Sequence, residues 1–264
     1  MGQISNRKKI LGSLVLADND MGTPRLSIYL GFTEEILKTC ACIAELPSLK
    51  DDDTSLRLAI ASMYVVPIFS DPFPCSCVLT KHRNDSLLTW TPSSSRLNIP
   101  QDLTQSTLIR LRLVAECFRD AGFVYLHSIL QHMSRDTPPL YHVASQSPTP
   151  LTEWSALITT PKHVAIDRLL SRILSFPLDD HCEYSALTFP LFIAGAESDV
   201  FEHRDIVLES LGKLQENFGI GNTLRARDVL RLLWARQDAV AQIPSQRVHW
   251  MDVLEELRWE LTLA

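Results

Sequence analysis

Residues 104–134 read TQSTLIRLRLVAECFRDAGFVYLHSILQHMS. Leu108, Leu111, Ala115, Phe118, Gly122, Tyr125, Leu126, Ile129 and Met133 recur every three or four positions, the period that gathers side chains on one face of an α-helix. No proline interrupts the run, so one long helix is predicted, and a helix of this length needs other helices or a sheet to cover it.

The flanks supply helices. On the N-terminal side, Tyr29 to Leu46 places Leu30, Ile36, Leu37, Ile43, Ala44 and Leu46 on one broad face. Thr33 before Glu34-Glu35 suits the positive end of a helix dipole, and Pro47 is a stop. On the C-terminal side, helices are predicted over Lys162–Leu174, Tyr184–Glu197, Val200–Phe218, Leu224–Ala241 and Trp250–Leu263. Tyr184–Glu197 is apolar nearly all round and should be buried, with Pro190 as a kink. Gly219 is a natural C-terminal stop, and Asn222-Thr223 reads as the cap of the next helix. No stretch alternates with period two for long enough to support a sheet. The predicted class is all-α, with about seven or more helices.

Between these helices the chain changes character. Residues 1–24 are polar and turn-rich, a flexible lead-in. Asp51-Asp52-Asp53 lie in an acidic loop and read as solvated surface. Residues 64–101 hold Pro67, Pro72, Pro74, Pro92 and Pro100 and are predicted to be a long irregular insertion. Pro138-Pro139 and Pro148 to Pro150 mark a linker.

Composition narrows the function classes. The 264 residues are 45% hydrophobic, ample for a sizeable core, and carry a formal net charge of −6. A phosphate-gripping protein normally shows a basic surplus, and here the only dense basic run is Arg7-Lys8-Lys9. The longest near-apolar stretch, Leu187 to Ala196, is too short for a span, which needs about 20 residues. Cys40, Cys42 and Cys117 fall in helical apolar runs and read as reduced core thiols.

Catalytic signatures are lacking. The sequence has no Gly-x-Ser-x-Gly elbow, no His-Glu-x-x-His and no glycine-rich phosphate loop. Gly219-Ile220-Gly221 reads as a helix connection. Asp179-Asp180-His181-Cys182 reads as a polar loop, and His127 and His132, five apart, as ordinary histidines. The cysteine pairs Cys40/Cys42 and Cys75/Cys77 are spaced too closely for the usual zinc-binding pattern. No cofactor, metal or catalytic residue is predicted.

One order of residues is specific. Ala186 to Glu197 is followed by Arg204, then Ala226, Val229-Leu230 and Leu233-Trp234, then Trp250-Met251-Asp252-Val253-Leu254 and Trp259. Upstream stand Tyr29-Leu30-Gly31-Phe32-Thr33-Glu34, Leu87-Leu88-Thr89-Trp90-Thr91-Pro92, and Ala121 to Leu130 with Tyr125-Leu126-His127. Over roughly residues 25–264 this succession resembles the fungal-specific transcription factor domain found C-terminal to zinc binuclear clusters. Phe189 stands where that family typically has Trp. The resemblance makes Trp90, Pro92, Tyr125, Leu126, Pro190, Ala194, Gly195, Arg204, Trp234, Trp250 and Trp259 the signature positions. Read from the residues alone these are packing positions: the Ala194-Gly195-Ala196 run lets another helix approach, and the tryptophans fill core.

The resemblance implies a transcriptional regulator of a metabolic pathway or gene cluster, located in the nucleus with the cytoplasm as second choice. It would act through protein partners of the transcription machinery, a related zinc-cluster factor, or a small-molecule effector. The alternative is a stand-alone helical protein that pairs with and modulates a full-length zinc-cluster factor. The family's six-cysteine cluster, with its Cys-x-x-Cys pairs, is not in this sequence, so direct DNA binding by this chain is not expected, nor is membrane association. Residues 64–85 separate pieces that the family joins almost directly and are read as a candidate retained-intron insertion. Met63-Tyr64-Val65 can encode a GTATGT donor, Val78-Leu79-Thr80 a CTAAC string, and Asp85-Ser86 can end in CAG.

Overall fold

A computed structural model describes residues 32–45, 47, 85, 87–90, 99–135, 158–240 and 248–258. Among them, besides a short helical turn at Asp85 and Leu87–Thr89, lie α1 (Glu34–Glu45), α2 (Gln105–Arg135), α3 (Lys162–Leu174), a 3-10 segment (Cys182–Leu187), α4 (Thr188–Glu197), α5 (Phe201–Phe218), α6 (Gly221–Val240) and α7 (Trp250–Leu257), with no strand. The all-α class is thus as predicted. The lead-in, the Asp51–Asp53 loop, most of the insertion, Pro92, the Pro138–Pro150 linker and Trp259 lie outside the described residues.

The helix α2 is the spine. It packs against α1, α3, the 3-10 segment and α4. Because neighbours surround it, its buried set is wider than one stripe: Val114, Cys117, Ala121 and Val124 join Leu111, Ala115, Phe118, Leu126 and Ile129 in the core. The second centre is α4, buried along its whole length from Pro190 to Glu197 and covered by α2, α3, α5 and α6. The closing element is α7, which packs on α6.

Helix ends follow local chemistry. The carbonyl of Thr33 accepts the first α1 bond, from Leu37 N–H at 2.9 Å. Gly219 ends α5 at φ 62°, a left-handed conformation that costs a glycine little. Three expectations are corrected. The predicted helix Tyr184–Glu197 divides into the 3-10 segment and α4, and Pro190 falls in the first turn of α4. There its missing N–H would have had no intrahelical partner, so it does not act as a kink. Thr223 lies within α6 rather than capping it, buried with its hydroxyl 3.3 Å from that of Thr188. In the stretch read as irregular, Asp85 and Leu87–Thr89 are helical, and the Thr89 hydroxyl donates to the Asp85 carbonyl at 2.8 Å. Leu87 seats this turn on α2, where a β-carbon at Gly122 would come within 2.8 Å of it.

Candidate functional site

Three of the described signature residues, Tyr125, Trp234 and Trp250, meet α4. The Trp234 indole N–H donates to the Gly195 carbonyl at 3.0 Å. The Arg204 guanidinium lies 5.3 Å from the Trp234 ring and forms two hydrogen bonds with the Asp238 carboxylate, at 2.8 and 2.9 Å. Trp250 meets Phe192 edge-on at 5.6 Å and lies 6.3 Å from Tyr125, and Tyr125 meets Phe189 edge-on at 5.9 Å. Leu126, Ala194, Trp90 and Pro190 are buried. Pro92 and Trp259 lie outside the described residues.

Next to these aromatics lies a buried polar group that sequence reading missed. Ser128 of α2 is fully buried, and its hydroxyl donates to Glu197 Oε1 at 2.6 Å. Ser128 Oγ in turn accepts the Trp250 indole N–H at 2.9 Å and faces His249 Nε2 at 2.9 Å. Glu197, 3% exposed, is also bound by Lys162 Nζ, which donates to its Oε2 at 3.0 Å. His249 caps α7: its Nδ1 accepts from the Met251 backbone N–H at 3.2 Å, while its own backbone N–H donates to Asp252 Oδ2 at 3.2 Å. An accepting Nδ1 places the proton of the neutral ring on Nε2, where it faces Ser128 and, at 3.5 Å, Glu197 Oε1. Four elements, α2, α3, α4 and α7, are thereby tied at one point.

A serine, a histidine and a glutamate in contact invite a nucleophilic reading, but the wiring runs the other way. A serine nucleophile donates its proton to the imidazole, and the other ring nitrogen donates to the acid. Here Ser128 donates to the acid directly, and Nδ1 of His249 is an acceptor used by a helix end. This arrangement is a clamp.

Two further ion groups join helices. Asp120, fully buried on α2, sits between Arg168 and Arg172 of α3. Glu183 of the 3-10 segment, 3% exposed, receives Arg110 of α2 at 3.0 Å. The two histidines of α2 have separate surroundings. His127 Nε2 lies 2.9 Å from the Thr160 carbonyl, and burial, the largest influence, holds its protonation below the ordinary histidine range. His132 stacks on His249 at 4.8 Å. The Asp179–Cys182 loop is internally bonded through His181 N–H to Asp179 Oδ1 at 3.2 Å. Among the described residues, no group of three or more His, Cys, Asp and Glu side chains is placed to hold a metal ion. None of the described helices is long and apolar enough to cross a membrane.

The open surface is different in kind. A shallow depression of ≈ 420 Å³ lies between the end of α3 and α5, lined by Leu174, Phe176, Leu178, Ser210 and Lys213 among others. Leu174 and Phe201 are each about two-thirds exposed, at 63% and 66%.

The family model described as fungal specific transcription factor domain matches residues 3–264. No curated protein and no solved structure matches the chain.

Proposed function

From the premise that this chain belongs to the fungal specific transcription factor domain family, we propose that it is the regulatory and effector domain of a transcription regulator, acting by interaction rather than catalysis. The observation that carries the reading is the family match across residues 3–264. The packing supports it: Trp234, Trp250 and the buried polar groups are engaged in holding helices together, while Leu174 and Phe201 remain available on the surface. Its partners would be proteins of the transcription machinery, a related zinc-cluster factor or a small-molecule effector, and its compartment the nucleus.

The reading predicts that fusing this chain to an unrelated DNA-binding module will change expression of a reporter carrying that module's site in a fungal cell. A reporter indifferent to the fused chain would count against it. A second reading is favoured by a specific feature: no Cys-x-x-Cys pair occurs in these 264 residues. DNA reading then falls to residues beyond these or to another chain, and a helical protein that pairs with a full-length zinc-cluster factor fits as well. Recovery of such a factor with the tagged chain from fungal nuclei supports this reading; a strict monomer in the same extract opposes it.

A further inference from the structure

The clamp at Ser128 contains a histidine whose hydrogen bonds define one tautomer. His249 is only 5% exposed, and both ring nitrogens are in use: Nδ1 accepts the Met251 N–H, and Nε2 faces Ser128 and Glu197. In the neutral ring each donor therefore has an acceptor. A second proton has one place to go, Nδ1. Once there, it turns the cap acceptor into a donor facing the Met251 N–H, and the first turn of α7 loses its side-chain cap.

The surrounding charges must be weighed. From α3, Lys162 shares Glu197 with the imidazole and opposes a new positive charge. From α2, His132 stacks on the ring at 4.8 Å and would repel it if also protonated. Two carboxylates pull the other way. Glu197 of α4 already holds Lys162 and the Ser128 hydroxyl. Asp252 of α7 is half-exposed, bonds the His249 backbone N–H through Oδ2, and lies 3.9 Å from His132 through Oδ1. From α6, Arg236 is paired with Glu256 further along α7.

We propose that His249 makes the docking of α7 pH-dependent: α7 is held while the ring is neutral and loosens when Nδ1 is protonated. Because α7 carries the buried Trp250 and Val253, loosening uncovers apolar surface on α2 and α4. The device is a latch whose trigger is the second protonation of the His249 imidazole.

The test is hydrogen exchange of residues 250–257 in the whole chain between pH 8 and 5.5, expressed as protection factors to remove the intrinsic pH dependence of exchange. Protection should fall roughly five- to tenfold on acidification, the scale of losing one cap. His249→Asn keeps an acceptor at the cap without a titrating group, and it should flatten this step, whereas His132→Asn should leave it. A step that persists in His249→Asn, or vanishes in His132→Asn, overturns the proposal. Nitrogen-15 NMR of the unaltered imidazoles gives a reading independent of any variant's folding. Protonation of His249 Nδ1 together with loss of α7 protection supports the latch; protonation with protection unchanged or increased refutes it.

Discussion

Trp234 and Gly195 are joined by a hydrogen bond from the indole N–H to a main-chain carbonyl in the last turn of a buried helix, 3.0 Å long. The contact brings α6 against α4 so closely that the glycine has no room for a side chain. A β-carbon there would lie 2.9 Å from Val207 Cγ1 and 3.2 Å from Leu230 Cδ1. Both neighbours are themselves fully buried, so neither moves without disturbing the core. Gly195→Ala should therefore destabilise by about 1–3 kcal/mol despite the better helix propensity of alanine. Urea unfolding measures this, and a neutral or stabilised variant would show that α5 and α6 yield easily. Trp234→Phe keeps most of the ring but leaves the carbonyl without this donor, and should cost about 1–3 kcal/mol.

The Ser128 hydroxyl serves three partners at once. Ser128→Ala removes the acceptor of Trp250 Nε1 and the donor to Glu197, leaving buried polar atoms unpaired. The expected loss is about 1–3 kcal/mol, large for deletion of one oxygen. Trp250→Phe removes one of the same partners, so the double variant should lose less than the sum of the single losses. Strict additivity in denaturant unfolding would mean that the two groups do not share the oxygen in solution.

How much of this was legible depended on how local the signal was. Lys162–Leu174 was predicted to the residue, because apolar positions recur every three or four. The end of α5 at Gly219 was equally readable, since a glycine after an amphipathic run is a standard stop. Pro190 was misjudged because the residues of the 3-10 segment carry the same apolar content as the helix that follows. A proline in the first turn was the available clue. The clamp gave no local signal: Ser128 and Glu197 are 69 residues apart, and Ser128 and His249 are 121 apart. Only the fold turns them into a buried set.

His127 yields a pH prediction of its own. Burial lowers its proton affinity in the folded chain; the bond to the Thr160 carbonyl raises it, nearby Lys162 lowers it, and Glu197 raises it. The net shift is downward, so the unfolded chain binds a proton that the folded chain refuses. Stability from this group is present above the unfolded value of about 6.5 and is lost progressively as pH falls from there toward the folded value. Unfolding free energies at pH 8, 6.5 and 5.5 should decline in the unaltered protein and decline less steeply in His127→Gln. Parallel declines would assign the pH dependence to other groups.

The described cysteines should differ in reactivity according to burial. Cys40 and Cys117 are buried free thiols, and burial pushes both up to about 12, with Cys42 adding to the effect at Cys40. Thiolate is the reactive form, so at pH 8 almost none is present at either site and the reagent has no access. Alkylation must then wait for opening of the core and should run roughly 100-fold or more slower than in denaturant. Cys182 is exposed, yet burial of the thiol and the adjacent Glu183 carboxylate raise it too, so it should react first of these three but more slowly than a free cysteine. Timed iodoacetamide labelling with peptide mass mapping gives the order directly. Labelling of Cys117 at the rate of Cys182 in native buffer would mean that α2 and α3 separate readily, contrary to the seating of Asp120 between Arg168 and Arg172.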